Sequence, residues 1–137
     1  MPERLKEALE FARNTPYTNF ATEYEGQPHV RLMHWSRIDD DFTVWLSTKA
    51  ESGKVKHIEK NPKVCMIFVD EAGYVRVYGT AEIVNDPRMK EELWEDQWEF
   101  FWPDGTDDPD YRLIKITPTT VDYLNMADGD VVARKVF

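Results

Sequence analysis

One short segment concentrates positive charge. Residues 48–62, TKAESGKVKHIEKNP, hold Lys49, Lys54, Lys56 and Lys60, with Lys63 just beyond, against only Glu51 and Glu59. Clustered cations bind anions, and the tripeptide Ser52-Gly53-Lys54 raises phosphate as the anion. The nucleotide loop Gly-x-x-x-x-Gly-Lys-Ser/Thr is absent, because Val55 follows Gly53-Lys54 and Thr48 stands where the first glycine is needed. The dinucleotide glycine fingerprint is absent too. What remains is a junction where a strand hands over to a helix. Free N–H groups at a helix start attract an anion, Lys54 adds a full charge, and Ser47 and Thr48 supply hydroxyls. The competing reading of the same residues is a capped surface helix with solvated lysines.

Two arginines sit in mid-strand patterns. In PHVRLMHW, alternation puts His29, Arg31 and Met33 on one face and Val30, Leu32 and His34 on the other. Arg31 is either one half of a structural ion pair or a fork for a phosphate or a ring carbonyl, and Arg76 has the same ambiguity. His29, His34 and His57 do not form a metal set, and Cys65 lies in an apolar run that favours inert burial. No Ser–His–Asp pattern is present. Trp94, Trp98 and Phe101 fall at helical spacing and read as core, as an interface, or as a cover for a flat ligand. With no acid–base or nucleophilic set, a bound cofactor is the natural source of any chemistry.

The elements that must position these groups are mostly strands. The length of 137 residues fits one domain, 1–137, with a hydrophobic content of 42%. The net charge of −9 argues against nucleic acid as a partner. Its distribution is uneven: residues 86–110 are strongly acidic, and the segment around Lys54 is basic. No apolar run reaches the ~18–20 residues of a membrane helix. That absence, with a single cysteine, makes the cytoplasm the expected compartment and a membrane an unexpected partner.

Periodicity predicts a helix over residues 2–14, then a hairpin about Glu25-Gly26, a turn at 39–41 and a strand FTVWLST. A basic helix follows, capped by Ser52 and ended by Asn61-Pro62. KVCMIFVD reads as a strand buried on both sides, and YVRVYGTAEIV as a long strand with a bulge or bend at Gly79. Asp86-Pro87 starts a helix carrying Trp94, Trp98 and Phe101 on one face. YRLIKITP and TTVDYLNM read as two strands, followed by a turn and a final strand VVARKVF. About seven strands with few helices imply a mainly β fold, a closed or split β-barrel.

The order and spacing of FATEYEGQPHVRLM, DDDFTVWLSTKAESGKVKHIEKNPKV, GYVRVYGTAEIVNDP, WEDQWEFFWPDGTDDPDYRLIKITP and VDY resemble a known family. It is that of the pyridoxamine 5′-phosphate oxidase-like flavin-binding split barrels, in the short bacterial branch of general stress proteins. The resemblance spans roughly Phe20 to Tyr123. It implies FMN bound at the interface of a homodimer. It places Arg31 near the phosphate or ring edge, Leu32 and Met33 alongside the flavin, Ser47 and Thr48 as hydrogen-bonding groups, and Ser52 and Lys54 at the phosphate. Tyr74 stands where the oxidase uses an amide side chain, and Gly53 where it carries a second basic residue. Trp98 and Trp102 are the aromatics that would close the ring site from the partner subunit. The oxidase's arginine-rich substrate segment has no counterpart in VVARKVF, which implies a different small-molecule substrate. The expected activity is that of a flavin-dependent oxidoreductase fed by a nicotinamide donor. The alternatives are a non-catalytic flavin-binding stress protein and a deazaflavin-dependent reductase.

Overall fold

Glu25 and Gly26 both adopt positive φ, 52° and 84°, which is the two-residue turn that matches the natural twist of a hairpin. It joins β1 (Tyr17–Tyr24) to β2 (Gln27–His34) in antiparallel register, Tyr24 opposite Gln27 and Tyr17 opposite His34. A computed structural model describes residues 3–137, with backbone alone at 3 and 130–132. The remaining strands are β3 (Arg37–Ile38), β4 (Val44–Lys49), β5 (Lys63–Asp70), β6 (Gly73–Val84), β7 (Tyr111–Asn125) and β8 (Asp130–Val136). Helix α1 covers Glu3–Arg13, α2 Gly53–Lys60 and α3 Pro87–Glu92. The first residue of the helix predicted over 2–14 lies outside the described residues.

All the strands belong to one antiparallel sheet of order β2-β1-β5-β6-β7-β4-β3, with β8 also on β7. β2 and β3 are the two ends of that order, yet only Trp35 and Ser36 separate them in the chain. The sheet therefore has to curl until its ends meet. Backbone N–H of Ser36 donates to the carbonyl of Trp45 (2.7 Å), and the indole N–H of Trp35 to the carbonyl of Thr15 (2.7 Å), which fixes the crossing. The result is a split β-barrel. β7 serves both halves, pairing β4 from Tyr111 to Ile116 and β8 from Thr120 to Asn125.

The barrel encloses Phe20, Phe42, Val44, Leu46, Met66, Phe68, Val77 and Ile116, and the buried face of α1, Ala8, Leu9 and Ala12, packs on this cluster. A second cluster of Trp45, Trp102, Tyr111 and Leu113 forms outside β4 and β7, beneath Trp94 and Trp98.

Three expectations need correction. β5 is not buried on both sides: Val64, Met66 and Phe68 are buried, while Cys65 and Ile67 are only half-covered. The two strands predicted either side of Thr117-Pro118 are one, β7, because Pro118 lies opposite Gly79 where the register shifts. A proline is tolerated at such a bulge, where no ladder N–H is needed. The tryptophan helix is also split. α3 ends at Glu92, and Trp98 belongs to a separate 3₁₀ turn, Asp96–Phe100. Helix initiation at Asp86 holds, its carboxylate accepting the N–H of Arg88 (2.9 Å).

The bulge carries a strict size limit. A Cβ on Gly79 would lie 2.7 Å from Cγ2 of Ile116 and 2.7 Å from the carbonyl oxygen of Thr117. Gly79→Ala is therefore expected to destabilise the fold by about 1–3 kcal/mol. An unchanged urea midpoint for that variant would show that the bulge relaxes freely.

Candidate functional site

A two-residue hairpin fixes which backbone groups of β2 are used. The residues flanking the turn, Tyr24 and Gln27, form a hydrogen-bonded pair, and such pairs then alternate along the ladder. His29, Arg31 and Met33 thus bond inward to β1. The N–H and C=O groups of Val30, Leu32 and His34 point to the free edge, because β2 pairs with no other strand. Pro28, which has no N–H, falls on the outward-pointing set, where its missing donor breaks no ladder bond.

This free edge borders a cleft of about 400 Å³ lined by Arg31–His34 on β2, Ser36, Ser47–Lys49 at the end of β4, Lys54 on α2, and Trp98, Phe101 and Trp102. The volume lies in the usual range for a small-molecule site. Of the residues expected at a cofactor, the fold brings Arg31, Leu32, Met33, Ser47, Thr48, Lys54, Trp98 and Trp102 onto one cleft. Ser52 lies beside it, its Oγ accepting from Nζ of Lys54 at 2.6 Å. Tyr74 does not line the cleft of its own chain. It stands on the outer face of β6, its ring 5.5 Å from the guanidinium of Arg76. Trp98 and Trp102 form the wall of the cleft in the same chain that supplies the cations. Trp102 is buried and donates its indole N–H to the carbonyl of Asp110 (3.1 Å).

The electrostatics separate the two mid-strand arginines. Arg76 pairs with Asp122 at 2.8 Å, and Arg134 reaches the other carboxylate oxygen at 2.5 Å. Hydrogen bonding from Arg134, against the opposing effect of burial and with help from Arg76, holds the Asp122 carboxyl below its ordinary range. Arg76 is thus structural. Arg31 has no carboxylate partner among the described residues, and donates only to the carbonyl of Phe20 (3.2 Å). Burial lowers its pKa. Lys54 is equally unpaired: Nζ donates to Oγ1 of Thr48 (3.1 Å) and to Oγ of Ser52. Burial first, then the nearby charge of Arg31, pulls its pKa down.

Ser52 occupies the N-cap position of α2 without making a side-chain cap bond, and the first turn holds no acidic residue. The capping hydrogen bond expected of Ser52 is replaced by the one to Lys54. Lys54 is therefore badly placed for stability in three ways: half-buried, beside another cation, and at the positive end of a helix. Two cations, three hydroxyls (Ser47, Thr48 and Ser52) and an uncapped helix start converge with no acid between them. That set is complementary to a phosphate monoester.

Sequence reasoning missed His34, Ser36 and Lys49 as cleft residues, while Phe101, one of the aromatics read as a possible cover for a flat ligand, does line the cleft. Ser36 had a signal in its position at the end of β2, but its contact, Oγ to Oγ of Ser47 at 3.0 Å, exists only once the sheet has curled. Among the described residues no His/Cys/Asp/Glu group forms a metal site.

Comparison with known proteins gives a consistent neighbourhood. The profile of the family described as "Pyridoxamine 5′-phosphate oxidase like" matches residues 5–134. General stress protein 26 of Bacillus subtilis is 33% identical over 125 residues, which cover 86% of this chain and 86% of that protein. A Clostridium acetobutylicum protein related to it, of the pyridoxine-phosphate oxidase family, has a crystal structure that is 30% identical. The TM-score is 0.81, with 100% of this chain and 96% of that one covered. A pyridoxamine 5′-phosphate oxidase-related, FMN-binding protein of Nostoc punctiforme is 16% identical, with a TM-score of 0.73 over 98% of this chain and 94% of that one. This last likeness is one of fold.

The poor placement of Lys54 predicts a trade-off. Its folded pKa lies below its unfolded value, so the penalty is complete below the folded pKa and is relieved as pH rises through that value towards the ordinary lysine range. Lys54→Met is expected to raise the melting temperature of the ligand-free protein at neutral pH by a few degrees, and this gain should shrink at alkaline pH. Melting curves that show a loss at neutral pH would mean that Lys54 is a structural residue.

Proposed function

The chain belongs to the pyridoxamine 5′-phosphate oxidase-like family, and on that premise we propose that it is an FMN-dependent oxidoreductase acting as a homodimer. The observation that carries the reading is the Arg31–Lys54 pair, two half-buried cations without a carboxylate partner among the described residues. Arg31, Lys54, Thr48 and Ser52 would hold the phosphate. Leu32 and Met33 would flank the ring along the strand edge, where the free N–H of Leu32 is available as a donor. Positive charge and donors at that edge favour an electron-rich ring. Trp98, Phe101 and Trp102 line an apolar side of the cleft.

Bound flavin supplies reversible two-electron chemistry, taken here from a nicotinamide donor and passed to a small substrate. The lining residues contribute binding and orientation. None is an Asp or Glu, so the cleft is suited to a substrate that needs no carboxylate base.

The dimer is supported by the outer face of the sheet. Val30, Leu32, Val69 and Tyr78 are 70%, 60%, 48% and 42% exposed. The ladder aligns Leu32 with Asn19 and Ile67, and Val30 with Ala21 and Cys65, so these side chains form one continuous face. An apolar face of this kind marks an interface. Leu32 borders the cleft with its backbone and carries its side chain on this face. An interface built there would run beside the cofactor.

Titration with FMN and riboflavin tests the site, since the two differ only by the phosphate. FMN should bind at least about tenfold more tightly, and Arg31→Ala and Lys54→Ala should each weaken it by about 1–3 kcal/mol. No micromolar binding, and no flavin retained by the protein after gel filtration, would overturn the proposal. FMN binding without accelerated oxidation of NADH or NADPH would instead identify a non-catalytic flavin carrier. Leu32→Asp should shift the sedimentation coefficient from dimer to monomer and weaken FMN together with it. A monomeric wild type would refute the dimer.

A further inference from the structure

Lys49 and Lys54 line two spaces at once. The first is the cleft; the second is an adjoining recess bounded by Glu51, Ser52 and Asp110. A ligand whose phosphate sits at Lys54 and carries a further group would extend into that recess. Its far wall is acidic, and the acid is fixed. Oδ1 of Asp110 accepts the N–H of Glu51 (3.3 Å), and the Asp110 carbonyl accepts from Ala50 (2.8 Å) and from the Trp102 indole (3.1 Å). Its own N–H donates to Oδ1 of Asp108 (2.9 Å). Bonds to both the backbone and the carboxylate keep Asp110 from swinging away. Among the described residues neither Glu51 nor Asp110 has a salt-bridge partner.

We infer that Asp110, helped by Glu51, is the specificity-determining residue that restricts this site to flavins ending in a single phosphate. The inference rests on the flavin reading given above. A terminal monoester reaches Lys54, Thr48 and Ser52 and stops. A flavin dinucleotide would place a second phosphate in the recess, against the backbone-anchored Asp110 carboxylate and the exposed one of Glu51, with Lys49 the cation at hand. Each carboxylate within contact range of that charge should weaken binding by about fivefold to tenfold.

The test is flavin fluorescence titration with FMN, FAD and riboflavin on the wild type, Asp110→Asn and Glu51→Gln. The amide of Asp110→Asn keeps the acceptor for the Glu51 N–H and removes the charge. The wild type should prefer FMN over FAD by at least about tenfold, and the gap should narrow as salt is raised. Asp110→Asn should tighten FAD about fivefold to tenfold more than it tightens FMN, and its residual preference, now set by Glu51, should lose about half of its salt dependence. A steric barrier would show no such sensitivity to salt or to an isosteric amide. Equal affinity of the wild type for FMN and FAD would overturn the inference and leave the flavin reading intact, as would a preference unchanged in both variants. Failure of the wild type to bind any flavin would overturn both. Glu51 is exposed, so Glu51→Gln carries the test alone if Asp110→Asn does not fold.

Discussion

The ends of the sheet are two residues apart in the chain, and most of the architecture follows from that. β2 closes one end of the strand order and β3 opens the other, so Trp35-Ser36 must bridge them. A flat sheet of this order would leave those ends many strand spacings apart, each about 4.8 Å. Curling is the only solution. It brings the free edge of β2 alongside the end of β4, and so brings Arg31 towards Thr48 and the helix start that follows it. The cleft is a consequence of closure: it lies where the ladder fails to complete the barrel. The bulge at Gly79 and the long β7, shared by two strands on its far side, supply the bend that closure requires.

Electrostatics then act against the fold at that seam. At the Arg76–Asp122–Arg134 group the charges are arranged for stability, a buried carboxylate being matched by two guanidinium groups. At the seam Arg31 and Lys54 lie near each other beside a helix start, and among the described residues neither has a salt-bridge partner. Such an arrangement lowers stability in the free chain and gains it back only on binding an anion. Departures from local consistency of this kind cluster at functional sites.

Much of this was legible in the sequence, for identifiable reasons. Period-two alternation located the strands and put Arg31 on the opposite face of β2 from Leu32. The Glu25-Gly26 turn and Asp86-Pro87 helix start are local chemistry. The errors were non-local. Cys65 and Ile67 read as core because apolar residues on a strand look alike whether they face the barrel or an open surface. Thr117-Pro118 read as a break because a proline tolerated opposite a glycine bulge is recognisable only once the partner strand is known. The tryptophan spacing suited a helix, but α3 stops at Glu92 and Trp98 reaches the cleft from a 3₁₀ turn. Arg31 and Arg76 had identical signatures. Only the position of Asp122, forty-six residues from Arg76, separated the structural arginine from the other.

A net charge of −9 and the proposed anion site are compatible because they act over different lengths. At physiological ionic strength charges are screened over about 8 Å. A phosphate in the cleft therefore feels Arg31 and Lys54 strongly and the surface carboxylates weakly. A polyanion, spread over tens of ångströms, meets the whole acidic surface, including the segment 86–110 that carries the aromatic wall. An acidic background of this kind disfavours extended polyanions, and a local cation pair suits a small one. The remaining lysines of the basic segment support this division. Lys60 pairs with Glu25 at 3.6 Å and lies over the ring of Tyr24 with Lys56, while Lys63 is exposed at the start of β5. The positive island in the sequence is two structures, the proposed anion site at its first turn and a solvated, partly neutralised helix face beyond it.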